Sequence, residues 1–243
     1  MQPEIDLFGL SIQSFGLALG VAFLVAGWMV AKRLKELGRP VDFAYEMVFA
    51  ALIGGIVGAK LWFVAETGGP LFSGTGLTFY GGLIGGALAV CGWAYYKRQL
   101  DLTLADAVVP SLAAAYAIGR IGCQLAGDGD YGSDWDGPWA MSYPNGTVPI
   151  DTPVHPTPIY EIIAMGAFAL LLWRWRARFR PGTLTAIYLI GAGLERFLVE
   201  FVRRNPDALL GLTQPQLVSL VMMLAGGAWL VFRRDALAKP VTA

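Results

Sequence analysis

Apolar residues gather into seven stretches separated by short polar connections, near 14–31, 43–64, 79–96, 105–125, 159–175, 184–202 and 216–232. A helix that crosses the ~30 Å hydrocarbon core of a bilayer needs about 20 mainly apolar residues. The stretches come close to or meet that length, and the third, fifth and seventh are short. The pattern predicts an all-α polytopic membrane protein with about seven transmembrane helices, in a single domain over 1–243. One connection is long, 126–158, and it is polar and rich in Gly, Asp and Pro. Trp135 and Trp139 within it suit a membrane–water interface.

Composition agrees with the bilayer as solvent. Hydrophobic residues make up 56% of the 243 and charged residues 15%, with a mean hydropathy of +0.55; a soluble domain carries about 25% charge. Formal net charge is zero, so no basic patch for nucleic acid is indicated. Placement of charge is informative. Lys32, Arg33, Lys35 and Arg39 follow the first stretch, Lys97 and Arg98 the third, Arg174, Arg176, Arg178 and Arg180 the fifth, and Arg233, Arg234 and Lys239 the last. These thirteen of eighteen basic residues fall on one side, against Arg203 and Arg204 on the other. The positive-inside rule then puts the amino terminus outside and the carboxyl terminus in the cytoplasm. Glu4 and Asp6 are the only charges before residue 32, so the first stretch is not an ordinary signal peptide. Cys91 and Cys123 lie in apolar stretches as small buried side chains, with no disulfide framework.

Three basic residues remain inside apolar stretches: Lys60, Arg120 and Arg196. Each lies four to six positions before the predicted outer end of its helix, roughly 6–9 Å below the outer interface. Cations at that depth face a partner or a wet cavity, or snorkel outward. Glu200 and Arg203 share one helix face with Arg196, which leaves a structural Arg–Glu pair as an alternative. Three convergent cations favour an anion site, and guanidinium groups fit phosphate. The anion native to that depth is a phospholipid phosphate. Gly119 and Gly122 flank Arg120, where they leave room for a headgroup to approach the backbone. GGIVGA (54–59) and YGGLIGG (80–86) read as close helix packing. His155, Tyr160 and Glu161, in HPTPIYE, stand at the outer start of the fifth helix. There His155 is either a structural cap or functional, and Glu161 is placed to support one of the cations. Asp128 and Asp130 share that outer side; loop acids are commonly solvated or turn-forming, and Asp128, eight residues after Arg120, reads alternatively as part of the site.

These motifs, in order, resemble the phosphatidylglycerol–prolipoprotein diacylglyceryl transferases. GRIG (119–122) followed by Gly127-Asp128 and Gly132 is similar to the family signature. YGGLIGG resembles its HGGLIG, HPTPIYE its HPTQLYE, GLERFLVEFVR (193–203) its G-x-x-R-F-x-x-E-F-x-R helix, and GLTQPQLVSL (211–220), with Gln216, its lead into the last span. The resemblance implies a bacterial inner-membrane enzyme with an outward-facing site and no cofactor or metal. It passes the diacylglyceryl group of phosphatidylglycerol to the lipobox cysteine of a preprolipoprotein and releases glycerol-1-phosphate. By position, Arg120 and Arg196 hold the lipid phosphate, Glu200 and Arg203 orient that helix, and Asp128 takes the place of a family Glu.

Departures accompany the likeness. Tyr80 replaces the HGGLIG histidine, Cys123 the usual Asn of GRIGN, Phe15 a common Tyr, Ala192 another Tyr, and Lys60 an Arg. Thiol activation is left open between Tyr80, His155, Asp128 and the lipid phosphate itself. A divergent paralogue that handles another lipid, or a small transporter, is the competing reading.

Overall fold

The computed structural model describes residues 1–7, 10–71 and 78–233. Arg234 and Lys239 of the basic tail lie outside them. Helices dominate, at 67% of the described residues. They are α1 (Ser14–Glu36), α2 (Asp42–Thr67), α3 (Phe79–Tyr96), α4 (Leu102–Ala126), α5 (Thr157–Trp175), α6 (Thr183–Val199) and α7 (Gln214–Phe232). Five of them, α1, α2, α4, α5 and α7, are long and apolar enough to cross a membrane. Their outward faces carry large apolar side chains such as Leu24, Leu170 and Leu224, each more than two-thirds exposed. That pattern suits lipid, not water.

Among the described residues the helices are accompanied by three short two-stranded antiparallel sheets. They pair β1 (Glu4–Leu7) with β2 (Leu10–Gln13), β3 (Met141–Tyr143) with β4 (Ile150–Val154), and β5 (Asp207–Leu209) with β6 (Leu212–Thr213). Strands of two to five residues carry too little alternation to stand out beside long helices. The sixth stretch also changes character before its predicted end. The α-helix stops at Val199 and a 3-10 turn, Glu200–Val202, completes it.

The chain divides into two compact units, Gly27–Ala105 and Met1–Ala26 with Asp106–Ala243. Within the first, α2 and α3 pack along their glycines. A Cβ added to Gly58 would come within 2.7 Å of the Gly85 Cα and 3.1 Å of its backbone nitrogen. Only hydrogen at these positions allows the backbones to approach so closely. Arg39 pairs with Asp101, and Glu46 accepts from Trp93 Nε1 (2.9 Å) and pairs with Lys97 (3.1 Å).

The second unit holds the apolar cluster of Val109, Ala113 and Ala117 on α4, Met165, Ala169 and Leu172 on α5, and Leu184 on α6. Spacings of three and four put each set on one helix face. Asp106, buried on the first turns of α4, caps the start of α6. Its carboxylate accepts from the backbone nitrogens of Gly182 (2.8 Å) and Thr185 (2.8 Å) and from Thr185 Oγ1 (2.6 Å). Those nitrogens have no partner within their own helix, and the carboxylate supplies one. Gly182 takes φ +90° at this turn, which a side chain would strain. α7 starts with a capping box between Thr213 and Gln216.

Candidate active site

Arg120 stands on the penultimate turn of α4, Glu161 on the first turns of α5, Arg196 near the end of α6, and Arg203 just past the 3-10 turn. The fold brings all four together. The Glu161 carboxylate is fully buried at the centre. Arg120 Nε lies 3.0 Å from its Oε2, Arg196 Nη1 3.4 Å from its Oε1, and Arg203 Nη1 3.4 Å from its Oε2. Tyr116, one turn before Arg120, donates to Glu161 Oε1 (2.8 Å) and accepts from Arg120 Nη2 (3.0 Å).

Two further carboxylates close the cluster. Asp130 bridges Arg120 and Arg203, one oxygen to each. Glu200 pairs with Arg196 at 2.8 Å, and its other oxygen accepts from Asn205 Nδ2 (2.6 Å) and Thr213 Oγ1 (2.8 Å). Gln216 is buried and its Oε1 accepts from the Thr213 backbone (3.0 Å). Its reach to the site therefore runs through Thr213 and Glu200. Of the three acids, Glu161 and Glu200 have fully covered side chains, while Asp130 is 32% exposed. Burial alone would raise Asp130's pKa, but Arg120 and Arg203 outweigh it and hold the carboxyl below the ordinary Asp value. Asp128 is shifted upward instead, by burial first and by the Asp130 charge, against a hydrogen bond from Cys123.

The connection 126–158 is folded onto this end of α4 and α5. Gly132 donates to the His155 carbonyl (2.8 Å), and Ser133 to that of Val202 (2.7 Å). A Cβ on Gly132 would meet His155 Cβ and Thr157 Cγ2 at 2.9 Å, so only glycine fits there. The His155 ring stacks on Trp135 at 4.4 Å, and its Nδ1 lies 3.2 Å from the Tyr160 hydroxyl, which accepts from Trp139 Nε1 (2.8 Å). His155, Tyr160 and Trp139 line one side of a cavity of about 630 Å³ between α5 and α6, otherwise lined mainly by apolar side chains and by Glu195.

The remaining expected residues sit as follows. Gly119 and Gly122 lie inside α4, where their N–H groups serve the helix, so the expectation of headgroup contact with free backbone N–H is corrected. Gly122 is a packing position, since a Cβ there would meet Ala18 Cβ at 2.8 Å. Lys60 and Tyr80 belong to the Gly27–Ala105 unit. The Lys60 ammonium lies 5.1 Å from the Phe63 ring centre, and Tyr80 is 41% exposed on the first turn of α3. Patterning missed Tyr116, the bridging role of Asp130, and Glu195. The i−4 spacing of Tyr116 to Arg120 was the available signal. Cys123, Asp128 and Asp130 bring ligand-type atoms within 4.8 Å of one another. With Asp130 committed to two guanidiniums, that group serves the arginines and not a cation cage.

Fold and site together define a membrane protein whose helices converge on a buried constellation of arginines and acids. The description "Prolipoprotein diacylglyceryl transferase" matches residues 4–232, and the chain belongs to that family; it is a membrane transferase. It is 34% identical to the phosphatidylglycerol–prolipoprotein diacylglyceryl transferase of Clostridium tetani (strain Massachusetts / E88), over 93% of this chain and 95% of that one. Its identity to the enzyme numbered 2 from Clostridium perfringens (strain 13 / Type A) is 32%, over 91% of each chain. With the Erythrobacter litoralis (strain HTCC2594) enzyme it is 31%, over 96% of this chain and 89% of that one.

Proposed function

We propose that the protein transfers the diacylglyceryl group of phosphatidylglycerol to the lipobox cysteine of a preprolipoprotein, releasing glycerol-1-phosphate, at the outer face of the bacterial inner membrane. Arg120 and Arg196 meeting on one buried carboxylate carries this reading. Two guanidiniums held by Glu161, Glu200 and Tyr116 are fixed before substrate arrives, and fixed donors are worth most where charge develops. The orientation rests on the basic connections, with about seven spans, the amino terminus outside, the carboxyl terminus cytoplasmic, and 126–158 extracytoplasmic in one transmembrane domain over 1–243.

In the resting site three guanidiniums face three carboxylates, so a lipid phosphate must compete for them. Asp130 is the acid that yields, being the one partly open and the one on the loop. As the phosphate replaces it, Arg120 and Arg203 exchange one anion for another without a charged group left bare. When the carbon–oxygen bond breaks, the leaving phosphate gains charge, and Arg120 and Arg196 stabilise it. The nucleophile is the acceptor's thiol. His155, Tyr160 and Trp139 line the α5–α6 cavity, which suits an acceptor segment.

The test is complementation of a transferase-depleted bacterium. Wild type restores growth and lipoprotein modification; Arg120→Ala and Arg196→Ala do not, each losing about 10²–10³ in turnover, the scale for removing one preorganised donor. Failure of well-expressed wild type moves the chain to a paralogous activity. Rescue by both variants rejects the site.

A further inference from the structure

Most ionisable side chains near the site have a partner. Asp130 and Glu161 hold arginines, Glu200 holds Arg196, Asn205 and Thr213, Asp128 holds Cys123 and the Asp130 backbone (3.3 Å), and His155 is stacked and bonded to Tyr160. Glu195 differs. Among the described residues it has no hydrogen bond and no ion pair, although it precedes Arg196 directly. Its side chain lines the α5–α6 cavity beside Gly191, Leu194, Leu198 and Met165. An acid in such surroundings has a large desolvation cost and no hydrogen bond to offset it; the nearby arginines compensate it only at a distance. The acids of the arginine cluster, Asp130, Glu161 and Glu200, are each tied to a donor, and Glu195 is not.

From this geometry we infer that Glu195 is the general base that takes the proton of the acceptor thiol. The inference rests on the transferase reading above and deepens it. The same cavity is lined by Trp139, His155 and Tyr160 of the loop end, so a lipobox thiol that occupies it lies against the carboxylate. The thiolate is the nucleophilic form, and a free thiol with a pKa near 8.5 is mostly protonated at neutral pH. The Glu195 carboxylate accepts the S–H proton. The sulfur electron pair forms a bond to the glycerol carbon that bears the phosphate, and the carbon–oxygen bond breaks with its pair on the leaving glycerol phosphate. Glu195 then returns the proton to that phosphate, so neither proton nor charge is left over. The adjacent position of Arg196 is consistent with this division of labour, since one residue of α6 faces the thiol and the next the phosphate.

The charges that act on Glu195 come from three helices and the turn: Glu161 on α5, Arg196 on its own helix, Arg120 on α4 and Arg203 after α6. Tyr116 on α4 and Tyr188 on α6 feel its charge in turn. His155 and Tyr160 line the same cavity.

The test uses the full-length protein in phosphatidylglycerol vesicles, with a lipobox peptide carrying either cysteine or selenocysteine. A selenol is ionised at neutral pH and needs no base. With the cysteine peptide, Glu195→Gln is expected to lose about 10²–10⁴-fold in kcat, the range for a positioned base. KM for phosphatidylglycerol and the unfolding temperature should stay at wild-type values, and Glu195→Asp should recover part of the rate. With the selenocysteine peptide, Glu195→Gln should come within about threefold of wild type. Full activity of Glu195→Gln on cysteine, or a loss that the selenol does not repair, overturns the assignment. Wild type inactive on both peptides overturns the transferase reading, and the assignment with it.

Discussion

Replacing Glu161 by Gln changes one charge and almost no volume at the centre of the cluster. The carboxylate touches Arg120 at 3.0 Å and Arg196 and Arg203 at 3.4 Å, and accepts from Tyr116 at 2.8 Å. At about 4 Å between charges and an effective dielectric of about 20, each ion pair contributes ~4 kcal/mol before desolvation. Burying the carboxylate costs several kcal/mol, and the three guanidiniums repel one another once it is neutral. Removing one partner of a buried ionic group costs about 3–5 kcal/mol. The amide keeps one acceptor, so the lower end, ~3 kcal/mol, is the expected loss. At roughly 2–4 °C per kcal/mol for a chain of this size, the unfolding temperature should fall by about 6–12 °C. A thermal unfolding series in mild detergent, read with a thiol-reactive dye, measures it. Glu161→Asp, which keeps the charge but shortens the reach, should fall between. Diacylglyceryl transfer should drop with Glu161→Gln even below its unfolding temperature, because Arg120 and Arg196 lose their common tether. A variant that unfolds within 2 °C of wild type and transfers at the wild-type rate refutes the idea that this carboxylate organises the arginines.

Three further outcomes follow, two at Asp130 and one where α2 packs on α3. Asp130→Asn removes the competitor of the lipid phosphate, so KM for phosphatidylglycerol should fall severalfold in a vesicle assay, while a rise would make Asp130 part of the binding surface. Asp130's folded pKa lies below the unfolded value of about 3.9. Its contribution to stability is therefore present above that value and is lost as pH falls through the folded pKa. Acid unfolding should be shallower below pH ~4 in Asp130→Asn, and identical profiles would count against the double bridge. Gly58→Leu drives a side chain into the Gly85 backbone, at a cost of about 1–3 kcal/mol or more. Its yield and unfolding temperature should both drop, and an unchanged protein would mean that α2 and α3 do not approach at their glycines.

How much of this could be read from the sequence follows from the range of each signal. Hydrophobic stretches reported the helices within a few residues, because length and apolarity are local. Arg120 and Arg196 drew notice as charges in apolar surroundings, and they do meet. Their meeting point, Glu161, was legible only as a support at the head of α5, since no pattern encodes which distant cation an acid will face. Asp130 was hidden beside Asp128, and two loop acids separated by one glycine look alike until a fold turns one toward Arg203. Glu195 was masked by its neighbour, because the Arg196–Glu200 spacing already explains an acid on α6. The hairpins escaped because strands of a few residues make no repeat. Gln216 was legible only as part of a resemblance to the family's lead into the last span, and its side chain closes the start of α7.

Asp106 has a consequence at the far end of the molecule. From Asp106 to Arg120 is fourteen residues of α4, and from Gly182 to Arg196 is fourteen residues along α6. At 1.5 Å per residue, both arginines stand about 21 Å from one shared anchor. The carboxylate thus acts as a common zero for two parallel rulers, and the level at which the guanidiniums face each other is set at the opposite end of the helices. One residue inserted into either ruler lifts its arginine by about 1.5 Å and turns it about 100° away, which separates the pair without touching either member.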